Sequence, residues 1–178
     1  MDQIKEALDH RNRFVKLKAP QHNGFGDLIQ DNNAQVILFG GEQDKTLAIK
    51  IAETVHTNIF NFAGKLSLME SACVMSHCDI MLSNDTGLLH MATALKIPVV
   101  AIFGSTTKEL GFFPTGTPNR VLQVDLNCRP CTHIGRNTCP KGHFRCMQDI
   151  TPLQVYNTLI QLYQQTSNQY VKGGESRI

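Results

Sequence analysis

The stretch Ile80–Phe103, IMLSNDTGLLHMATALKIPVVAIF, decides the fold. It opens on a short apolar run, Ile80 to Leu82, turns through the polar residues Ser83 to Thr86, and continues from Gly87 to about Leu95 with apolar residues at helical spacing. Pro98 then introduces a further apolar run of strand length, Val99 to Phe103. A helix between two short strands is the usual crossover of a parallel pair, because parallel strands cannot be joined by a tight hairpin.

The same unit recurs on either side. Upstream, Gln35–Gly41 (QVILFGG) reads as a strand ending in two glycines, and Asp44–Val55 (DKTLAIKIAETV) spaces Leu47, Ile49, Ile51, Ala52 and Val55 as a helix packed on a sheet would. Asn58 to Phe62 supplies a short strand. Ser67 and Glu70 have capping-box spacing, which predicts a helix from there to about His77. Downstream, Arg120 to Val124 reads as a fifth strand. Thr151-Pro152 opens a last helix, with Val155, Leu159 and Leu162 as its apolar stripe, fading near Gln165. This alternation predicts an α/β fold: a Rossmann-like three-layer α/β/α domain over 34–165, with a mostly parallel sheet and helices on both faces. Residues 1–33, polar and broken by Pro20, Gly24 and Gly26, read as a linker or residual N-terminal segment, and 166–178 as a flexible tail.

Composition bounds the function. The chain has 178 residues, a net charge of +2 and 18% charged residues, without the basic excess of a dedicated nucleic-acid binder. No run approaches the ~18 to 20 apolar residues of a membrane span, and MDQIKEALDH lacks the basic-then-apolar pattern of a secretory signal. The expectation is a soluble, cytoplasmic chain. Cys73 and Cys78 fall in a helical, partly apolar stretch, where free cysteine behaves as a small hydrophobe.

The turn Asp85-Thr86-Gly87 lies where open α/β sheets bind ligands, at the carboxyl end of a strand and the start of a helix. Gly87 would let a ligand approach the backbone closely, and the Thr86 hydroxyl and first-turn N–H groups could donate to a diphosphate. A carboxylate would repel that group, so Asp85 suits sugar hydroxyls or the pinning of the loop. His90, one turn on, is on the side of Thr86 and could donate to a phosphate or the departing group. The same residues also compose an ordinary helix cap, with His90 as a solvated or satisfied histidine.

Several motifs in register give the pattern more weight. SNDTGLLHMATALKIPVVAIFGST resembles the segment D-[ST]-G-x-x-H-x-A-x-A, followed by an apolar strand and a Gly-[ASG]-[ST] turn, of glycosyltransferase family 9, the ADP-heptose:lipopolysaccharide heptosyltransferases. Here the matching residues are Asp85, Thr86, Gly87, His90, Ala92 and Ala94, then Gly104-Ser105-Thr106. Leu38–Gly41, Ala63–Leu68 and Cys128-Arg129-Pro130-Cys131 with Cys139 and Cys146 fall in the same order, so that the resemblance covers about Val36 to Val155.

The resemblance implies the C-terminal, donor-binding half of a GT-B enzyme, with an ADP-heptose-like donor and a lipopolysaccharide core or other lipid-linked glycan as acceptor. The reaction inverts the anomeric carbon, requires no cofactor, and uses a carboxylate base in an N-terminal GT-B domain that has no recognisable equivalent here. Asp85, Thr86, Gly87 and His90 would contact the sugar diphosphate, His90 as a leaving-group stabiliser. Glu42 could bind ribose hydroxyls, or serve simply as a first-turn acid. Lys18, with Lys16 beside it, lies about where the family tends to have a phosphate-binding lysine, although RFVKLKAPQHNGFGDLI departs from the usual pattern. An acceptor in the inner membrane would bring the full enzyme to the inner face of the cytoplasmic membrane. A stand-alone nucleotide-sugar-binding module, or a split subunit, is the alternative.

Cys128-x2-Cys131-x7-Cys139-x6-Cys146, within an irregular loop over 128–146, could close a structural zinc site, with His133 and His143 as substitutes. Reduced thiols and disulfides are the other readings, and a reducing cytoplasm disfavours the last.

Overall fold

A computed structural model describes residues 35–54, 59–135 and 138–173. Among the described residues five strands pair in parallel: β1 (Val36–Leu38) with β2 (Ile59–Asn61), and β4 (Val99–Phe103) between β3 (Met81–Asn84) and β5 (Asn119–Gln123). The helices are α1 (Lys45–Thr54, entered through a 3-10 turn at Glu42–Asp44), α2 (Leu68–Met75), α3 (Gly87–Ala94), the short α4 (Arg145–Gln148) and α5 (Pro152–Gly173).

The side chains of β4 explain the layering. All five are buried, and alternation sends them to opposite faces. Val99, Ala101 and Phe103 pack with Met75 of α2 and with Leu89 and Ala92 of α3. On the other face Ile102 meets Cys146, Met147 and Val155, and Val100 meets Leu159 and Leu162. A strand covered on both faces must be apolar along its whole length, which is why VVAIF shows no polar alternation. Truncating Phe103 to alanine in such a core costs about 3–5 kcal/mol.

The single sheet expected from the sequence resolves into two hydrogen-bonded sheets, β1-β2 and β3-β4-β5. Side chains join them: Ile37 and Phe39 pack into the Phe103 core, while Leu38, between them, faces Ala48 and Ile51 of α1.

The caps form as their spacing requires. Ser67 Oγ accepts from Glu70 N at 3.3 Å and Ser67 N donates to Glu70 Oε2 at 2.8 Å. Thr151 and Gln154 make the corresponding pair at the start of α5, both bonds lying between 3.2 and 3.3 Å. Helix α5 differs from expectation at its other end, running on to Gly173 rather than fading at Gln165. Thr166 is buried on the packed side, its hydroxyl donating to Leu162 O at 3.0 Å, and no breaker precedes the paired glycines. The segment 1–33 and the residues beyond Gly173 lie outside the described residues.

Candidate functional site

Because β3 and β4 are parallel neighbours, the turns after them, Asp85–Gly87 and Gly104–Thr106, emerge side by side at one edge of the sheet. One bond ties the two turns together: Thr106 Oγ1 donates to Asp85 Oδ2 at 2.7 Å. Thr106 is only 3% exposed and Asp85 half-buried, so this charge-assisted bond is shielded from competing water. Asp85 therefore pins one loop to the other.

Thr86 precedes α3 in extended geometry (φ −146°, ψ 166°), and its side chain does not cap the helix. Its hydroxyl instead lies 3.2 Å from Ser83 Oγ, which is also 2.9 Å from Asn84 O, and either hydroxyl of the Ser83–Thr86 pair can be the donor. Leu89 N donates to Thr86 O at 3.1 Å, and with no side-chain cap the N–H groups of Gly87 and Leu88 keep their donors for an external acceptor. A Cβ built at Gly87 would meet no atom within 4 Å, so the protein's own packing does not demand glycine there. Gly104 is the opposite case, since a Cβ there would come within 2.7 Å of Met147 Sδ. His90 is exposed on α3, its ring centroid 6.4 Å from that of Phe112.

Asp85, Thr86 and Gly87 thus form the turn into α3, and His90 follows within that helix. Glu42 opens the 3-10 turn that follows β1, exposed and ion-paired with Lys45 at 2.7 Å. Lys16 and Lys18 lie outside the described residues.

Three contributors escaped the sequence reading. Asp44, almost fully buried, accepts from Gly41 N at 2.7 Å and fixes the glycine turn after β1; its place three residues after Gly41 was the available signal. Phe112 stands beside His90, while the adjacent Phe113 packs on Phe103 at 4.3 Å between centroids. Arg129, inside the cysteine loop, donates through Nη2 to Thr106 O at 2.7 Å and Gln123 Oε1 at 3.1 Å, and through Nη1 to Val124 O.

None of the six cysteines is in a disulfide. Cys128 Sγ lies 3.8 Å from His143 Nε2, and Cys131 Sγ turns back to Cys128 O at 3.1 Å. Cys146 is buried beside Ile102 and Met147, and that burial pushes its thiol above the ordinary range. Cys139 is shifted the other way by backbone N–H groups, first that of Phe144, which favour the thiolate. Among the described residues no three His, Cys, Asp or Glu side chains are grouped so as to hold a metal ion. The thiols of Cys128, Cys131, Cys139 and Cys146 share one region all the same, since Cys131, Cys139 and Cys128 each add to the upward shift at Cys146. The Cys131 thiol is engaged with a carbonyl and that of Cys146 is packed in the core. Among the described residues no helix is long and apolar enough to cross a membrane.

Comparison with known proteins agrees with the fold and the motif. The family model for glycosyltransferase family 9 (heptosyltransferase) matches residues 21–141. The chain is 30% identical over 133 residues to lipooligosaccharide heptosyltransferase 2 of Campylobacter jejuni, covering 72% of this chain and 41% of that protein. It is 27% identical over 153 residues to lipopolysaccharide heptosyltransferase 2 of Escherichia coli, covering 82% of this chain and 43% of the relative. It therefore spans less than half the length of these relatives. The solved structure of E. coli ADP-heptose lps heptosyltransferase II superposes with a TM-score of 0.64 at 26% identity, over 80% of this chain and 40% of that one. A family 9 glycosyltransferase from Veillonella parvula has the same fold, with a TM-score of 0.66 at 22% identity over 79% of this chain and 38% of that one. With its motif, its fold and a family match over most of its length in agreement, the chain belongs to glycosyltransferase family 9, the heptosyltransferases.

Proposed function

We propose that this chain is the donor-binding, C-terminal half of an inverting heptosyltransferase. It would hold an ADP-sugar such as ADP-heptose for transfer to a lipopolysaccharide core or similar lipid-linked glycan. The observation that carries the reading is the start of α3, an uncapped N-terminus whose glycine faces open space, flanked by the Thr86 hydroxyl and the exposed His90. Unpaired N–H groups and the positive end of a helix dipole suit a diphosphate, and they are set before the ligand arrives.

The roles follow from chemistry. First-turn N–H groups and Thr86 would hold the phosphates. His90, which keeps an N–H donor in either tautomer, would stabilise charge developing on the leaving diphosphate. Asp85, as an acceptor, would take hydroxyl protons of the sugar with lone pairs not used by Thr106. The base that activates the acceptor, and the acceptor site, are assigned to the part of the relatives' length that this chain does not span. No metal cofactor is invoked, since N–H donors and imidazole can carry the phosphate charge. Glu42 and Lys18 are assigned to the ribose and phosphate as secondary contacts.

Calorimetric titration with ADP-heptose, ADP and a UDP-sugar tests the assignment. Binding of the adenine compounds that weakens in an Asp85→Ala, His90→Ala variant is expected. Equal binding by wild type and variant would contradict the assigned site.

A further inference from the structure

We infer that Arg129 is a positioning residue for Asp85, acting through Thr106. Thr106 is gripped from both ends: its hydroxyl donates to Asp85 Oδ2 at 2.7 Å, and its carbonyl accepts from Arg129 Nη2 at 2.7 Å. The threonine is 3% exposed, so its backbone cannot shift without moving the hydroxyl that holds the carboxylate.

The guanidinium is itself fixed by several elements. It reaches Phe103 O at the end of β4 (3.4 Å), Gln123 Oε1 at the end of β5 (3.1 Å), and Val124 O just beyond. The neighbouring Cys131 N donates to Ser105 O at 3.1 Å, so successive carbonyls of the Gly104–Thr106 turn are held by the start of the cysteine loop. Among the described residues no carboxylate lies within ion-pair distance of Arg129, and Glu109 acts on it only at longer range; four oxygens, those of Phe103, Thr106, Gln123 and Val124, meet its charge directly. That task needs a planar fork with several donors, which a lysine ammonium on a flexible stem does not reproduce. The cysteine loop thereby acquires a part in site geometry that needs no metal.

The link from Arg129 to Asp85 stands on the unliganded geometry; its consequence for a sugar donor rests on the donor-binding reading above. The test separates the two. In ligand-free protein carrying 13C-carboxyl aspartate, the Asp85 resonance is compared in wild type, Thr106→Val, Arg129→Gln and Arg129→Lys. Arg145→Gln, at an exposed helical ion pair with Asp149, serves as control. The expected result is that Thr106→Val and both Arg129 variants displace the Asp85 signal while the control does not. Arg129→Lys keeps the charge and the stem, so it gives an answer even where Arg129→Gln fails to fold. A folded Arg129→Lys protein with its Asp85 signal at the wild-type position overturns the inference, whatever the protein binds. The second arm titrates ADP-heptose against ADP. Loss of one charge-assisted bond at the sugar implies about a tenfold greater loss for ADP-heptose than for ADP in Arg129→Lys. A wild type that binds neither compound counts against the donor-binding reading and leaves the carboxyl signal to decide the positioning role.

Discussion

Removing the Thr106 hydroxyl tests the bond that joins the two site loops. Valine matches threonine in shape, so Thr106→Val leaves no cavity but deprives the half-buried Asp85 carboxylate of its 2.7 Å donor. A hydrogen bond to a charged group is worth about 1.5–3 kcal/mol net, and an unsatisfied partner shielded from water keeps the loss in that range. With a urea slope of about 1–3 kcal/mol/M for a domain of this size, the unfolding midpoint should fall by about 1 M. Urea titration followed by circular dichroism measures this, since the chain contains no tryptophan. Asp85→Ala and the double variant complete a thermodynamic cycle. The account requires a coupling of about 1.5–3 kcal/mol, because the two residues meet in one bond. A coupling under ~0.5 kcal/mol, the level seen for independent sites, would refute the claim that this bond holds the turns together.

Other consequences follow from packing and titration. Leu162→Ala, which empties a site between α5 and Val100, should destabilise the protein by about 2–5 kcal/mol in the same urea assay, as expected for a core leucine. Ser67→Ala should cost about 1 kcal/mol near neutral pH through loss of the α2 cap. The Glu70 carboxyl is held below its ordinary range, first by the bonds it exchanges with Ser67. Its contribution is therefore present above the unfolded carboxyl pKa and is lost as pH falls through the lower folded value, so the gap between wild type and Ser67→Ala should narrow in acid without closing, because the bond from Glu70 N to Ser67 Oγ does not titrate. Iodoacetamide mapping against pH should find Cys139 alkylated at lower pH than Cys78 or Cys146. Backbone N–H groups favour the Cys139 thiolate, whereas burial disfavours those of the other two. Cys146 reacting first would contradict that order.

Features written in short-range patterns were legible in the sequence. The VVAIF run, the Ser67–Glu70 box and the Thr151 start each depend on neighbours a few residues away, and each element forms where its pattern lies. The Asp85–His90 cluster was legible for the same reason, since strand end, turn and first helical turn are consecutive. Its second half was not. Thr106 reaches Asp85 from 21 residues away, and the Arg129 guanidinium reaches Thr106 from 23, through contacts that exist only once β4 and β5 have paired. Arginine between two cysteines drew attention to the thiols, although the guanidinium makes the bonds to the site. The extent of α5 was missed because TSNQYVK has modest helix propensity, and tertiary packing of Thr166 outweighs it. The division of the sheet likewise depends on which backbones meet, a choice that alternating strands and helices leave open.

The central claim is that the start of α3 is an anion site for the diphosphate of a nucleotide sugar. The most direct measurement is a backbone amide NMR titration of this chain with ADP and ADP-heptose. The account predicts that the Gly87 and Leu88 amides shift first and saturate together, with Thr86 and His90 following and both ligands moving the same set. Saturable shifts centred elsewhere, with those amides unmoved, would contradict it.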